Sequence, residues 1–476
     1  MSYNVYITRL TNVRPHPNAD RLLLAECFGN TVCVSIDHKT GDLGVYFPTD
    51  GQISEEFGKA NDLFRRKDAE GNEAGGFIDA NKRNIRCIRL RGEKSDGLYL
   101  PLSCLEHFGD VSELNEGDIV TVFNGHEIAR KYIPRSNHKS NGSGAHNKAK
   151  KKKVNIAPLF QEHKDTEQLA YNIGDFKDGD QIEITLKMHG TSGRTAYLPR
   201  LKGYKRTWKD KLLRREGTPI YEWGYVTGTR RVVLERYDAG FYGSDAFRKI
   251  HAEKFEGKLR KGETVYYEIV GFTDTGVPIM PSANNKKLND KEFIKKYGKE
   301  TVFSYGCDPD GYRDSKEILK KDIENWEKNN AKMLRKLQSD IYVYRMTMTN
   351  EDGDVVEYTP DFMRYRCEQM GVKTVPVFWK GYLTSNNYAY VCLDEDDYPV
   401  GTVADYVQHL AESFYEGTDP IGKTHIREGV VVRIVNRPTF TAYKHKNFEF
   451  KVLENIIKID AEAPDMEEIQ EVKDDN

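Results

Sequence analysis

The sequence predicts a multidomain protein, with a small closed β barrel first and then a larger α+β domain built on antiparallel sheets. Three observations carry that prediction. Up to about residue 135, short apolar runs alternate with clusters of Gly, Pro, Asn and Asp, an all-β pattern. From about residue 155 onward, strand-like runs are interleaved with stretches of helical periodicity. Between them, Arg130–Lys153 holds nine Lys or Arg and no Asp or Glu, with Asn141-Gly142-Ser143-Gly144 at its centre. That composition marks an exposed tether, and its lysines attract phosphate without needing any receptor. The expected divisions are a barrel over 1–135, a basic linker over 136–154, a second domain over 155–458 and an acidic tail over 459–476.

Composition narrows the class. With 476 residues the chain is long enough for two or three real cores. A hydrophobic fraction of 38% against 31% charged describes a soluble protein with a heavily charged surface. The net charge of −2 means that any nucleic-acid affinity must come from local basic patches. Seven cysteines without a Cys-x-x-Cys pair argue for a reducing compartment and against a zinc site. No apolar run approaches the roughly 20 residues that span a bilayer, and the amino terminus does not read as a signal peptide. The expected location is cytoplasmic, or nuclear in a eukaryotic host, with no membrane and no obligate protein partner.

In the first domain the strand candidates are Asn4–Leu10, Leu22–Phe28, Val32–Ile36, Leu43–Phe47, Ile85–Leu90 and Asp118–Val122. Five or six short strands in this length suit an OB-fold barrel. His16-Pro17-Asn18-Ala19-Asp20-Arg21-Leu22 and Arg91-Gly92-Glu93-Lys94-Ser95-Asp96-Gly97-Leu98 resemble the paired motifs of the tRNA-binding OB domains found beside aminoacyl-tRNA synthetases. Lys82–Arg91 carries five cationic residues and reads as a basic strand. A solvated sheet face is the bland alternative, but OB barrels hold single strands on such surfaces, so Arg83, Arg86, Arg89 and Arg91 are the candidate RNA contacts.

In the second domain, helices are expected over Ser244–Lys258 with Ser244 as N-cap, and over Asp314–Gln338 with a capping box of Asp314 and Glu317. Pro360–Met370 and Val403–Tyr415 are shorter helices of the same kind. Five strands carry the chemistry. Ile182, Ile184 and Leu186 form one face of a strand; Glu183, Thr185 and Lys187 form the other, and the strand breaks at Gly190. A lysine at such a strand end, facing a cleft, can shed its proton and act as a nucleophile. Farther on, Val265, Tyr267 and Ile269 oppose Glu268, and Glu428 alternates with Gly429 so as to share a face with Val430 and Val432. Lys444 and Lys446 lie on one side of their strand, and Tyr342 and Tyr344 on one side of theirs. Carboxylates among valines need partners, and the lysines can supply them.

In order along the chain, Lys187-Met188-His189-Gly190, Gly228-Thr229-Arg230, the Glu268 strand, Tyr344, Glu428-Gly429 and Lys444-x-Lys446 resemble the motif set of the covalent nucleotidyltransferases: ATP-dependent DNA ligases, RNA ligases and mRNA capping enzymes. The likeness covers about residues 155–455. DNA ligases and capping enzymes place an OB domain after the Lys-x-Lys motif, whereas here the stretch from Asn447 onward is too short for one and the OB-like domain lies in front. That order, with Phe303-Ser304-Tyr305-Gly306-Cys307 and the inserted Asp314–Gln338 helix, resembles the RNA ligases of the Deinococcus and Naegleria type. His189 departs from the Asp common in that position.

The resemblance implies an ATP-dependent RNA ligase with ATP and Mg2+ or Mn2+ as cofactors, acting on an RNA 3′-OH/5′-phosphate break, with a nicked duplex as the expected partner. It implies Lys187 as nucleophile, Lys444 and Lys446 on the α-phosphate, and Tyr344 on the adenine. Gly190 belongs to the nucleotide site, Glu268 and Glu428 serve the metal, and Glu268 also reaches the ribose. Arg230 would hold phosphate at the break, with Arg231 its close rival. A DNA nick ligase and a non-catalytic RNA-binding protein with a decayed ligase domain are the alternatives.

Overall fold

The computed structural model describes residues 3–67, 73–132, 155–213, 217–238, 240, 242, 244–274, 279–280, 339–393, 398–421 and 426–451. The linker over 136–154, Phe303–Cys307, the Asp314–Gln338 helix and the acidic tail all lie outside these residues. The chain forms two compact units, one of Met1–Arg135 with Phe448–Glu462, the other of Ser136–Asn447 with Ala463–Asn476. The second domain was expected to run through residue 458; instead the chain passes to the first unit directly after Asn447.

The first unit is built from short antiparallel strands. Leu43–Phe47 lies between Tyr6–Arg9 and Leu98–Pro101, while Thr11–Pro15, Leu22–Cys27 and Asn30–Ser35 form a meander. Alternate residues of these strands, among them Ile7, Val45 and Phe47, pack with Ile53, Phe57, Leu105 and Ile128 into one core. A short helix, Glu55–Ala60, delivers Phe57 to that core; Ser54 caps it, its hydroxyl accepting from the Phe57 N–H at 3.0 Å.

Two expectations are corrected here. Asp118–Val122 is no regular strand: it touches the sheet through a single bridge, Tyr6 to Ile119. Lys82–Arg91 is not one continuous strand either. Arg83 adopts φ +53°, and the strand begins only at Cys87. It ends at Leu90 in a two-residue turn, Arg91-Gly92, whose φ values of +48° and +96° pair Leu90 with Glu93.

The second unit has two sheets. One runs Glu167–Gln168, Thr441–Lys446, Gly429–Ile434, Gln181–Leu186, Val377–Tyr382. The other runs Thr218–Gly228, Thr191–Lys205, Glu263–Gly271, Ser339–Thr349, Val355–Glu357, with Lys373–Thr374 beside Ser339–Thr349. Pairing is antiparallel apart from two short parallel contacts, at Glu167–Gln168 and at Lys373–Thr374. Each sheet buries one face. Ile182, Ile184, Val430 and Val432 pack on Val407 and Leu410 of the Val403–Tyr415 helix. Val265, Tyr267, Ile269 and Val343 pack on Phe247, Met363 and Cys367.

The caps explain the helices. Thr402 and Asp405 close a reciprocal capping box, and Thr359 with Pro360 starts the helix that Gly371, at φ +68°, ends. The expected Ser244–Lys258 helix is shorter, Ala246–Ala252, because Asp245 occupies the N-cap and gives its carboxylate to buried Arg248 at 3.0 Å.

Candidate active site

The faces left over by the two cores line a cleft of about 120 Å³. The period-two alternation of Gln181–Leu186 sends Ile182 and Ile184 into a core and therefore sends Glu183, Thr185 and Lys187 to the cleft. Lys187 follows the last residue of that strand, its N–H donating to the Gly429 carbonyl at 3.0 Å. Its ammonium lies 2.6 Å from Glu428 Oε1. Lys446 Nζ reaches the same oxygen at 3.2 Å, and His189 Nδ1 lies 3.5 Å from Oε2. Burial pushes the Glu428 carboxyl up, but Lys187, Lys446 and His189 together hold it well below the usual carboxylate range.

Glu428 does not continue the face of Val430 and Val432. Gly429 has φ +145°, and a Cβ there would lie 2.1 Å from the His445 carbonyl, so the alternation breaks at a position only glycine fills. Lys446 is the register partner of Gly429, which brings its ammonium beside Glu428. Lys444 is opposite Val431, whose side chain lines the cleft. Gly190 is needed for a different reason: a Cβ would come within 2.3 Å of the Ile269 carbonyl.

The six-stranded sheet supplies the other wall. Glu268, 7% exposed, is paired in register with Ser192, whose hydroxyl donates to Oε2 at 3.4 Å. Tyr344 lines the cleft from a β-bulge: Tyr267 pairs with Val343 and Tyr266 with Arg345, leaving Tyr344 as the extra residue. Tyr342, in register with Glu268, and Tyr344 share the face turned away from Val343 and its core, as expected; the bulge adds Arg345 to that face. Phe440 also lines this end, beneath the guanidinium groups of Arg345 at 4.6 Å and Arg433 at 5.0 Å.

Arg230 lines the cleft and is bonded to Asp165, whereas Arg231 is more exposed and stands 3.5 Å from the same carboxylate. Of the two, Arg230 is the one that lines the cleft. The loop that carries it is held by Arg194, which is buried and donates to the carbonyls of Thr229 at 2.7 Å, Phe160 at 3.3 Å and Gln161. Desolvation lowers the Arg194 guanidinium to about 10, so it remains a cation at neutral pH.

Several cleft residues carry no sequence signal. His163 lies at the base of the aromatic end, its ring 5.0 Å from that of Tyr344. Desolvation, with Arg345, Arg230 and Arg194 nearby, drives its pKa well below that of free imidazole, so it is neutral. Arg433 in the cleft, and Asp165 bonded to Arg230, are equally silent in the sequence. Only the charge of a buried strand residue such as Glu183, bonded by Arg364 at 2.9 and 2.8 Å, hints at a role.

Among the described residues no three His, Cys, Asp or Glu side chains converge on a metal position. Glu268 and Glu428 fit instead a Mg2+ or Mn2+ ion that keeps most of its coordination for water and phosphate oxygens. The candidate RNA contacts belong to the first unit. There Arg86 is half-buried, Arg91 is exposed in the turn, and Arg83 is 3.8 Å from Glu55; Arg89 belongs to the Cys87–Leu90 strand. Among the described residues no helix is long and apolar enough to cross a membrane.

Fold and site together define a multidomain protein with an OB-fold domain followed by a mixed α/β domain, and a lysine-centred cleft in the latter. An OB-fold domain family model matches residues 4–102. The chain is similar in fold to RNA ligase of Naegleria gruberi. One solved structure, a variant with ATP and Mn, aligns at TM-score 0.50 and 17% identity, over 94% of this chain and 98% of that one. Another, a variant with AMP and Mn, aligns at TM-score 0.50 and 15% identity, over 94% and 98% of the two chains. No curated protein matches the sequence.

Proposed function

We propose that the chain is an ATP-dependent RNA ligase that seals 3′-OH/5′-phosphate breaks through a lysine-AMP intermediate on Lys187. The observation that carries this reading is the Lys187–Glu428–Lys446 cluster at the cleft, one carboxylate oxygen between two ammonium groups. The solved structures of similar fold hold ATP or AMP with Mn, which supports a nucleotide and a divalent cation as ligands. Lys187 is ion-paired with Glu428, and a protonated amine cannot attack. Its amine becomes a nucleophile once it has left Glu428 and shed a proton. Glu268 and Glu428 would hold a divalent cation, which would neutralise phosphate charge.

Lys187 Nζ then forms a bond to the α-phosphorus of ATP, and pyrophosphate leaves. Lys446 and Lys444 neutralise the charge that grows on the α-phosphate oxygens. Tyr344 stacks on the adenine, and Arg230 binds phosphate. AMP passes to the RNA 5′-phosphate, and the 3′-hydroxyl attacks that phosphorus, expelling AMP and closing the strand. Incubation with α-labelled ATP and Mg2+ or Mn2+, without RNA, tests the first step. Covalent label on the protein that disappears in Lys187→Ala is the expected result; label that persists in the variant places the nucleophile elsewhere. Matched RNA and DNA breaks then test which polymer is sealed.

A further inference from the structure

The Thr191–Lys205 strand begins at the cleft, where Ser192 lines the wall, and runs away from it. Its pairing with Glu263–Gly271 ends at Ala196 and Thr264. From there outward it continues as a two-stranded ribbon with Thr218–Gly228, the last pair being Lys205 with Thr218. Ala196 to Lys205 is about 30 Å of strand at the usual rise. Its inner part is flanked by Ile156, whose carbonyl accepts from the Leu201 N–H at 2.7 Å. Beyond that point its pairing partner among the described strands is Thr218–Gly228.

The outer end has an unusual surface. Lys205, Arg206, Thr207, Trp208 and Lys209 are all exposed. Trp208 leaves 69% of its surface in water, with Lys209 Nζ 5.7 Å from its ring. Asp210 closes the turn, its carboxylate accepting from the Thr207 N–H at 2.9 Å and from the Thr207 hydroxyl at 2.5 Å; against its one negative charge stand the three cations Lys205, Arg206 and Lys209. The Lys202 charge lower down is paired with Glu222 at 2.5 Å. A chain of net charge −2 does not produce a cationic tip by general basicity, so the tip is a local feature.

Cations flanking an exposed indole form the chemistry that holds an unpaired nucleic-acid strand, the ammonium and guanidinium groups on phosphates and the ring against a base. Leu212 and Leu213, 73% and 58% exposed, raise the rival occupant, an apolar protein surface. Charge decides against it: an apolar partner would have to desolvate the surrounding cations, whereas a polyanion is drawn to them. The same strand also leads from the cleft to the tip, so a polymer held at the cleft is offered the ribbon as a continuation. We infer that Lys205, Arg206, Trp208 and Lys209 form a docking site for an unpaired RNA strand outside the cleft. This rests on the RNA-ligase reading for its biological sense, not for its binding test.

The test uses the full-length protein, a fluorescein-labelled single-stranded RNA oligonucleotide and anisotropy over a salt series. The variant Lys205→Ala/Arg206→Ala/Lys209→Ala is expected to bind at least about tenfold more weakly, and its log–log salt slope to fall by about 2, three phosphate contacts at roughly 0.7 each. Trp208→Ala is expected to lose about five- to a hundredfold with the slope unchanged, and Trp208→Phe to recover most of that loss. Both alanine variants should form the lysine-AMP adduct at the rate of the parent protein, which also reports that they are folded. Unchanged affinity and slope in the triple variant overturn the inference. So does RNA binding left intact while sedimentation shows lost self-association, which would make the tip a protein contact. A parent protein that forms no adduct yet loses RNA on mutation of the tip sinks the ligase reading and leaves the docking site standing.

Discussion

The two ends of the Thr191–Lys205 strand sit in opposite electrostatic regimes. At the inner end charges are buried and matched: Glu268 by Ser192, Glu428 by Lys187, Lys446 and His189, Arg230 by Asp165. At the outer end Lys205, Arg206 and Lys209 are exposed at the surface beside an exposed indole. A buried charge works only with its partner in place, so substitutions there have large effects that salt hardly screens. An exposed charge acts as one of several, and its effects are small, additive and salt-dependent. The difference orders the expected outcomes.

The largest belongs to Lys187. Lys187→Arg preserves a cation for Glu428 but removes the nucleophile, so label from α-labelled ATP should vanish while the thermal transition stays close to that of the parent. Residual label in this variant would break the comparison at its strongest point. Next come the two companion lysines. Lys446→Ala removes a cation bonded to Glu428 and should slow adenylylation about 10²–10³-fold, the range for one lost transition-state donor. Lys444→Ala should fall short of that, since Lys444 is in register with Val431 rather than with Gly429 beside the buried carboxylate. Equal rates for the two variants would show that contact with Glu428 is not what distinguishes them.

A third outcome tests burial itself through pH. His251 is buried, its Nε2 2.7 Å from Ser339 Oγ, and desolvation lowers it from 6.5 to about 3. Below pH 6.5 the unfolded chain takes up a proton there that the folded chain refuses, so stability present at neutral pH is lost as pH falls. The full slope for one such group is about 1.4 kcal/mol per pH unit, and buried, neutral His163 adds in the same direction. Denaturant unfolding of His251→Gln between pH 6.5 and 5 should show a shallower decline than the parent; an unaltered slope would mean that His251 is protonated in the fold. The smallest effect is expected in the first unit. Arg91→Ala, in an exposed turn, should shift the salt slope of RNA binding by less than about 1 and leave adenylylation unchanged.

Much of this was legible in residue order. The alternation of Ile182, Ile184 and Leu186 with Glu183, Thr185 and Lys187 survives in the structure because one face must enter a core, and a period of two then fixes the other. The helices Pro360–Met370 and Val403–Tyr415 are found at their expected bounds because Thr359 and Thr402 are strong local caps. The failures are places where one residue changes the period: Gly429 after Glu428 and the turn at Arg91-Gly92. Others depend on partners far away in sequence. His163 and Arg433 reach the cleft, and Asp165 reaches Arg230, only through long-range pairing, and no local pattern encodes that. The ribbon tip was locally visible as cations around a tryptophan, but its exposure depends on where the neighbouring strand stops.

The division of the chain at Asn447 also sets an order of events in the cell. Phe448 lies under the Lys94 ammonium at 4.7 Å and packs on Cys87, and Lys451 is bonded to the buried carboxylate of Asp96, all within the first unit. A ribosome making this protein finishes Arg135 early but must add about 300 residues before Phe448 emerges, some 15–60 s at ordinary elongation rates of about 5–20 residues per second. For that interval the barrel exists without its last piece, Asp96 lacks its lysine, and Cys87 lacks its ring. The lysine of the proposed phosphate site, Lys446, leaves the ribosome just before the residues that complete the barrel. Completion of the barrel and completion of the Lys187–Glu428–Lys446 cluster are therefore nearly simultaneous, and a nascent chain stalled short of residue 446 has neither.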